Sequence, residues 1–331
     1  MRFLLLFCAW KLCAATSDDW ERTEYAWIFG LRNFCDVGVN GTPETFYKDY
    51  RYGFNPSLYT DIKKNDLIWI QTPELKDFYH QIFPTLKSPV ILLACMGDAS
   101  FPSESGLTPD QIEDLFASPY ILHAFAQNCD YQGPSNKISP IPIGFNLQFS
   151  LYSEEPIDEP SPKQQEQELK KIQKRLRPTH QRFKRAFVDF QHHDTMQHLR
   201  YKQFGDTRTT IFEKIKKTGL IDYHNNRVSR SALWKTKAKY AFSISPWGNG
   251  LDCFRTWEDL ALGCIVIVKT SPIDRLYEGL PVVIIQDWDE ITEENMTIWL
   301  EKYKDAFTNP SYRERLTNQY WLNKILSKKA P

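Results

Sequence analysis

Gly248, Asn249 and Gly250 are followed by Arg255 and Glu258, and this order of residue types can hold a phosphorylated ligand. Glycines let backbone N–H groups close on an anion, and a helix amino terminus just behind them adds its dipole. An arginine in the early helix offers a planar, bidentate fork to phosphate. A carboxylate three residues later falls on the same helix face and can accept from a ribose diol. On spacing alone, Arg255 and Glu258 could equally form a surface ion pair. The flanking sequence supplies the elements that such a loop needs. Residues 240–244 (YAFSI) form an aromatic and β-branched run, 253–262 have amphipathic helical spacing, and 264–268 are apolar throughout. Strand, glycine loop, helix and strand make one βαβ unit of a doubly wound sheet.

The same block carries a family resemblance. Ser245-Pro246, Gly248-Asn249-Gly250, Asp252, Arg255, Glu258, Gly263 and the run 265–268 follow the order found at the donor-binding end of exostosin-like glycosyltransferases. Ser271-Pro272-Ile273-Asp274, Leu276-Tyr277 and Leu280-Pro281-Val282 are similar to that family too, as are the phrases FAQNCD (125–130) and PIPIG (140–144). The likeness spans residues 89–288 and is most specific from Ser245 onward. It implies an α/β, GT-B-like fold of two Rossmann-like domains facing a cleft, with a nucleotide-sugar held by the second. It further implies that Gly248, Asn249, Gly250 and Arg255 serve the donor diphosphate and Glu258 the nucleotide ribose. Two positions depart from the family: Val266 stands where proline is commoner, and Trp247 replaces a small or basic residue. The Trp247 indole would stack on a base or wall the cleft.

The rest of the chain is organised to position that block. The 331 residues are enough for two ordinary domains, and 42% hydrophobic content allows a substantial core. Buried parallel strands are expected at 66–71 (DLIWIQ), 88–95 (SPVILLAC) and within 121–130. Helices are expected at 73–83 and from Pro109, capped by Thr108. Residues 16–150 thus make an acceptor-side α/β domain, 151–182 a polar linker leading into a helix, and 183–331 the donor domain with closing helices. In the donor domain, 185–190 and 280–286 read as strands, and 209–218, 229–239, 294–307 and 312–325 as helices. The basic run within 168–185 is a solvated helix face, or else a surface for an anionic acceptor or a membrane.

Asp98 follows the buried run 88–95 beside Gly97, where it can take a proton from an acceptor hydroxyl or simply form a turn. Glu104 and His123 are further candidate bases. His192, His193 and His198 match no common zinc spacing and lack a cysteine pair, so no metal is expected there. Asp287-Trp288-Asp289 has the form of a metal motif, but Asp289 reads as the cap of a helix starting near Ile291. No cofactor is expected either, because the nucleotide-sugar enters as a substrate.

Lysine plus arginine equals aspartate plus glutamate at 41 each, which argues against nucleic acid as a partner. The expected partners are a nucleotide-sugar and a glycan or glycoconjugate acceptor. Residues 1–15 have the composition of a signal peptide cleaved after Ala15, and no other run can span a bilayer. A working leader places the chain in the secretory pathway, the Golgi lumen or outside the cell; a retained one leaves it in the cytoplasm. Asn40-Gly-Thr and Asn295-Met-Thr would then be glycosylation sequons. Cys95 and Cys264 lie in apolar runs and are expected to be buried thiols. A glycosyltransferase is the leading expectation. A catalytically inactive glycan- or nucleotide-binding protein on the same scaffold is the alternative.

Overall fold

The computed structural model describes residues 23–39, 53–147, 160–191, 203–226 and 228–331. The leader, Asn40, the three clustered histidines and Arg227 lie outside the described residues. A short helix α1 (Ile28–Arg32) precedes a parallel sheet of four strands in chain order: β1 (Leu67–Gln71), β2 (Val90–Cys95), β3 (Ile121–Ala126) and β4 (Ile138–Pro140). Helices α2 (Leu75–Gln81) and α3 (Pro109–Ala117) make the crossovers. As expected, Thr108 caps α3, accepting from Gln111 N while the Gln111 side chain accepts from Thr108 N.

A third long helix, α4 (Pro162–Gln173), leads into the second domain. Its parallel sheet has the order β6-β5-β7-β8-β9: β5 (Phe183–Val188), β6 (Ile221–Tyr223), β7 (Tyr240–Ile244), β8 (Ile265–Lys269) and β9 (Val282–Ile285). Between the strands lie α5 (Arg208–Lys216), α6 (Arg230–Lys237) and α7 (Phe254–Ala261). The chain leaves β5 in one direction to β6 and returns on its other side as β7. The order therefore reverses between β5 and β7, and a crevice opens outside their carboxyl ends.

Three helices close the chain: α8 (Glu293–Tyr303), α9 (Pro310–Glu314) and α10 (Asn318–Leu326). Two local expectations are corrected here. The cap of α8 is Thr292, and Asp287 rather than Asp289 caps the short turn Trp288–Glu290. The helix expected at 312–325 is two, because the Thr317 side chain accepts from Tyr320 N and starts α10 afresh.

Alternation along the strands divides the apolar side chains among three cores. Ile68, Ile70, Leu92 and Ala94 pack with Phe78 and Leu115 beneath α2 and α3. Phe242, Ile244, Ile265 and Ile267 pack with Ile211, Phe212 and Met296. The opposite faces of both sheets meet in a single shared core. Leu67, Trp69, Ile91, Leu93 and Phe125 of the first domain join Trp257, Leu260, Val266 and Val268 of the second. This architecture is the α/β, GT-B-like one expected: two parallel-sheet domains whose strand carboxyl ends approach each other.

The last helix touches both domains: Trp321 stands edge-on to Trp257 of the second, with ring centroids 6.4 Å apart, and the chain end also bonds to the first. Asn318 accepts from Trp27 N and donates to Thr23 O, and Ala330 exchanges hydrogen bonds with Asn65. No helix among the described residues is long and apolar enough to cross a membrane.

Candidate active site

The glycine loop leaves β7 on the crevice side of the second sheet. Gly248 N donates to Gly250 O at 3.0 Å, which folds the loop tightly. Both glycines have close neighbours that a side chain would push aside. A Cβ on Gly248 would meet Arg208 Nη2 at 2.9 Å, and one on Gly250 would meet Asn128 Nδ2 at 2.8 Å. Asn249, between them, is exposed. Trp247 is buried against Phe204, with ring centroids 4.4 Å apart, so its indole walls the site and offers no free face for a base.

Three cations gather on this segment. Arg208, the first residue of α5 after its Thr207 cap, donates to Trp247 O at 2.9 Å. Lys269, at the end of β8, stands 5.8 Å above the Trp247 ring and pairs with Asp206 at 2.6 Å. Arg255 reaches Ser245 Oγ at 3.4 Å and pairs with Asp189 at 2.6 Å. Asp189 follows β5 and Ser245 follows β7, so Arg255 spans the point where the strand order reverses.

Behind it lies a charge network that sequence spacing did not reveal. Lys237 of α6 is 1% exposed and bonds both Asp189 and Asp259, and Ser243 also donates to Asp259. Burial works against the charge on Asp189, but Lys237 and Arg255 outweigh it and hold this carboxyl below the ordinary range. Burial likewise opposes the Lys237 ammonium, and the two aspartates more than offset it. Asp259 is pushed up to about 6 by burial, against the pull of Lys237. Burial lowers Arg208, and the like charge of Arg255 lowers it further. Arg208, Lys237, Arg255 and Lys269 thus alternate with Asp189, Asp206 and Asp259, and Asp252 and Glu258 add two more carboxylates beside the glycine loop.

Glu258 and Arg255 do not pair with each other. The Glu258 oxygens accept from Trp234 Nε1 at 2.9 Å and from Asn146 N at 3.3 Å. Each oxygen keeps further acceptor capacity. Asp252 is a tie between the domains. It accepts from Ile143 N, Cys253 N, Trp257 Nε1 and Tyr277 Oη, yet burial pushes it up to about 6.

Facing the glycine loop are the carboxyl ends of the first sheet. Met96 and Gly97, just past β2, both take positive φ, at 82° and 84°, and turn the chain out so that Asp98 is exposed. Asn128, just past β3, reaches both sides. Its Nδ2 donates to Asp98 O at 3.3 Å, and its Oδ1 accepts from Asp252 N at 2.8 Å. One side chain thus separates the Asp98 loop from the glycine loop.

The two further candidate bases stand differently. Glu104 accepts from Ser100 N within its own turn. His123 is buried in the first half of β3, away from the carboxyl ends, bonded to Ser139 and lowered to about 4 by burial and by Lys328 and Lys324. Glu74, just past β1, was not singled out from sequence; burial, with Asp77 adding, raises its carboxyl to about 7. The expected buried thiols, Cys95 and Cys264, are buried and free, as is Cys129, while Cys35 and Cys253 are free and partly buried. Among the described residues, no group of three or more His, Cys, Asp or Glu side chains is placed to hold a metal ion.

No family model matches this sequence, and no curated protein matches it. Several solved structures overlap loosely with the fold. A trehalose-phosphate synthase (UDP-forming) from Burkholderia vietnamiensis is 13% identical at a TM-score of 0.41, over 88% of this chain and 77% of that one. An E. coli trehalose-6-phosphate protein bound with UDP-2-fluoro glucose is 13% identical at 0.35, over 88% and 76%. A GtfA/B complex is 10% identical at 0.36, over 86% and 60%. Overlaps this loose assign no role to any residue.

Proposed function

We propose that this chain is an exostosin-like glycosyltransferase that moves a sugar from a nucleotide-sugar, held by the second domain, to a glycan hydroxyl presented by the first. One observation carries the reading. At the reversal point between β5 and β7, Arg208, Arg255 and Lys269 converge on residues 245–250, and Asn128 links that segment to the loop of Asp98.

The Arg208, Arg255 and Lys269 side chains gathered on the loop suit a diphosphate, and the glycine loop with the start of α7 adds backbone amides. A free carboxylate position on Glu258 suits a ribose hydroxyl. As the sugar–diphosphate bond breaks, charge grows on the leaving oxygen, where fixed cations in a water-poor site are most effective. Asp98 takes the proton of the acceptor hydroxyl as its oxygen bonds the anomeric carbon. Neither cofactor nor metal is required by this scheme. A lumen supplied with nucleotide-sugars is the compartment that suits it.

The test is calorimetric titration of the purified chain with a panel of nucleoside diphosphates, repeated on folded Arg208→Ala, Arg255→Ala and Glu258→Ala. One nucleotide should bind saturably, about tenfold or more weakly in each variant, as loss of a hydrogen bond to a charged group implies. Asp98→Asn should bind it unchanged and lose sugar transfer. Absence of binding by the folded parent ends the proposal. Binding without transfer by the parent favours a silent binding protein.

A further inference from the structure

A second basic region lies at the opposite end of the second sheet. A cavity of about 650 Å³ opens between the end of α4, the segment 174–182, the start of β5 and helix α6. Its volume falls within the range of small-molecule sites. Lys171, Arg175, Arg177, Arg182, Lys235 and Lys239 line it, with Glu168 as its carboxylate. Glu168 is already taken, by Lys235 at 2.9 Å and by Ser231 at 2.7 Å. The side chains of Lys171, Arg175, Arg177 and Lys239 make no hydrogen bond or ion pair among the described residues.

Arg182 is the built part of the wall. It donates to Arg177 O at 2.9 Å and Leu262 O at 2.7 Å, and it faces no carboxylate. Burial accordingly lowers its pKa. Carbonyl dipoles fix this guanidinium in place but leave its charge uncompensated, so an arriving anion is favoured there. Ile172, Leu176 and Ala238 supply an apolar floor, and the Phe183 ring, at 58% exposure, stands at the rim.

We infer that this cavity binds a small, multiply phosphorylated ligand at a site separate from the candidate active site. Arginine forks match phosphate bidentately, and several cations around one hollow fit several phosphates on one compact skeleton better than a single anion. Concavity also argues against a flat membrane as the occupant, since a planar surface meets only the rim. The site cannot be a subsite of the sugar-transfer cleft. Lys239 and Phe183 stand at the amino ends of β7 and β5, whereas the glycine loop leaves the carboxyl end of β7. At about 3.3 Å per residue, the five residues of β7 hold the two regions about 16 Å apart.

The full chain is titrated calorimetrically with inositol hexakisphosphate, with inorganic tripolyphosphate as a skeleton-free arm and phosphatidylserine vesicles as a membrane arm. Saturable binding of inositol hexakisphosphate is expected. It should weaken about tenfold in Lys171→Ala/Arg175→Ala, as loss of charge-assisted hydrogen bonds implies, and stay unchanged in Arg208→Ala. Equal binding of tripolyphosphate, with the same dependence on Lys171 and Arg175, would identify phosphate rather than the ring as the recognised group. Both replaced side chains are exposed, and Lys239→Ala gives an independent check. No binding, binding lost in Arg208→Ala but kept in the cavity variants, or binding to vesicles without binding to either phosphate would each overturn the inference.

Discussion

Arg255 and Glu258 lie one turn apart on α7, as their spacing requires, but the sequence does not say what each one meets. Arg255 turns to Asp189, 66 positions earlier in the chain, and Glu258 to the Trp234 indole and the Asn146 amide. Motif spacing fixes residue types on a helix face; tertiary partners are set by which strands become neighbours. Asp252 was visible as a motif letter for the same reason, while its bond to Ile143, 109 residues away, was not. Glu74 was invisible altogether, because burial raises its carboxyl and burial is not written in a Pro-Glu-Leu tripeptide. Its shift has a defined consequence. The folded state holds this proton up to about pH 7, while an unfolded glutamate releases it near the usual carboxylate value. Stability contributed by Glu74 is therefore present at low pH and falls as pH rises through that window. Glu74→Gln should flatten the fall relative to the parent in urea unfolding carried out across the window; an unchanged pH profile would refute the shift.

Secondary elements were the most legible level, since apolar runs and caps are local signals. The strands at β1, β2, β5, β7, β8 and β9 fall where the runs lie, and Thr108 caps α3 as expected. The misses have local causes as well. Strand β6 is only Ile221–Tyr223, too short to show a period, and is held by pairing with β5. Where several capping residues follow one another, as with Asp287, Asp289 and Thr292, sequence does not say which starts the helix. Helix α5 shows what such a cap does for the site. Thr207 accepts from Thr210 N, and the Thr210 side chain accepts from Thr207 N, which fixes Arg208 in the first turn facing Trp247 O. Thr207→Ala should cost about 1 kcal/mol in urea unfolding, a typical loss for a cap. Nucleotide affinity should fall with it, because Arg208 loses its anchored start. Unchanged stability would show that the α5 terminus is held by other contacts.

At the scale of the whole molecule, the two-domain plan followed from the order of strands and helices, but what joins the domains did not. The shared core, the Asp252 tie and the charge network around Lys237 all depend on packing between distant segments. Lys237 is the most exposed to a single change in the energetic sense, though 1% exposed to water. Lys237→Met would leave Asp189 and Asp259 buried without their common partner. Breaking such a buried pair costs about 3–5 kcal/mol, which should appear as a large drop in urea midpoint. A loss well under that would mean that water or Arg255 takes over the compensation. The contact between the chain's distant parts has a different kind of consequence. Trp27 and Asn318 are hydrogen-bonded although 291 residues separate them. Residues 23–27, and the Glu166 and Phe145 that they bond, are made before the second domain, yet their further partners Leu316 and Asn318 are made only after it. The segment is thus fully seated only once the second domain has followed it, and until then it must be kept from pairing elsewhere.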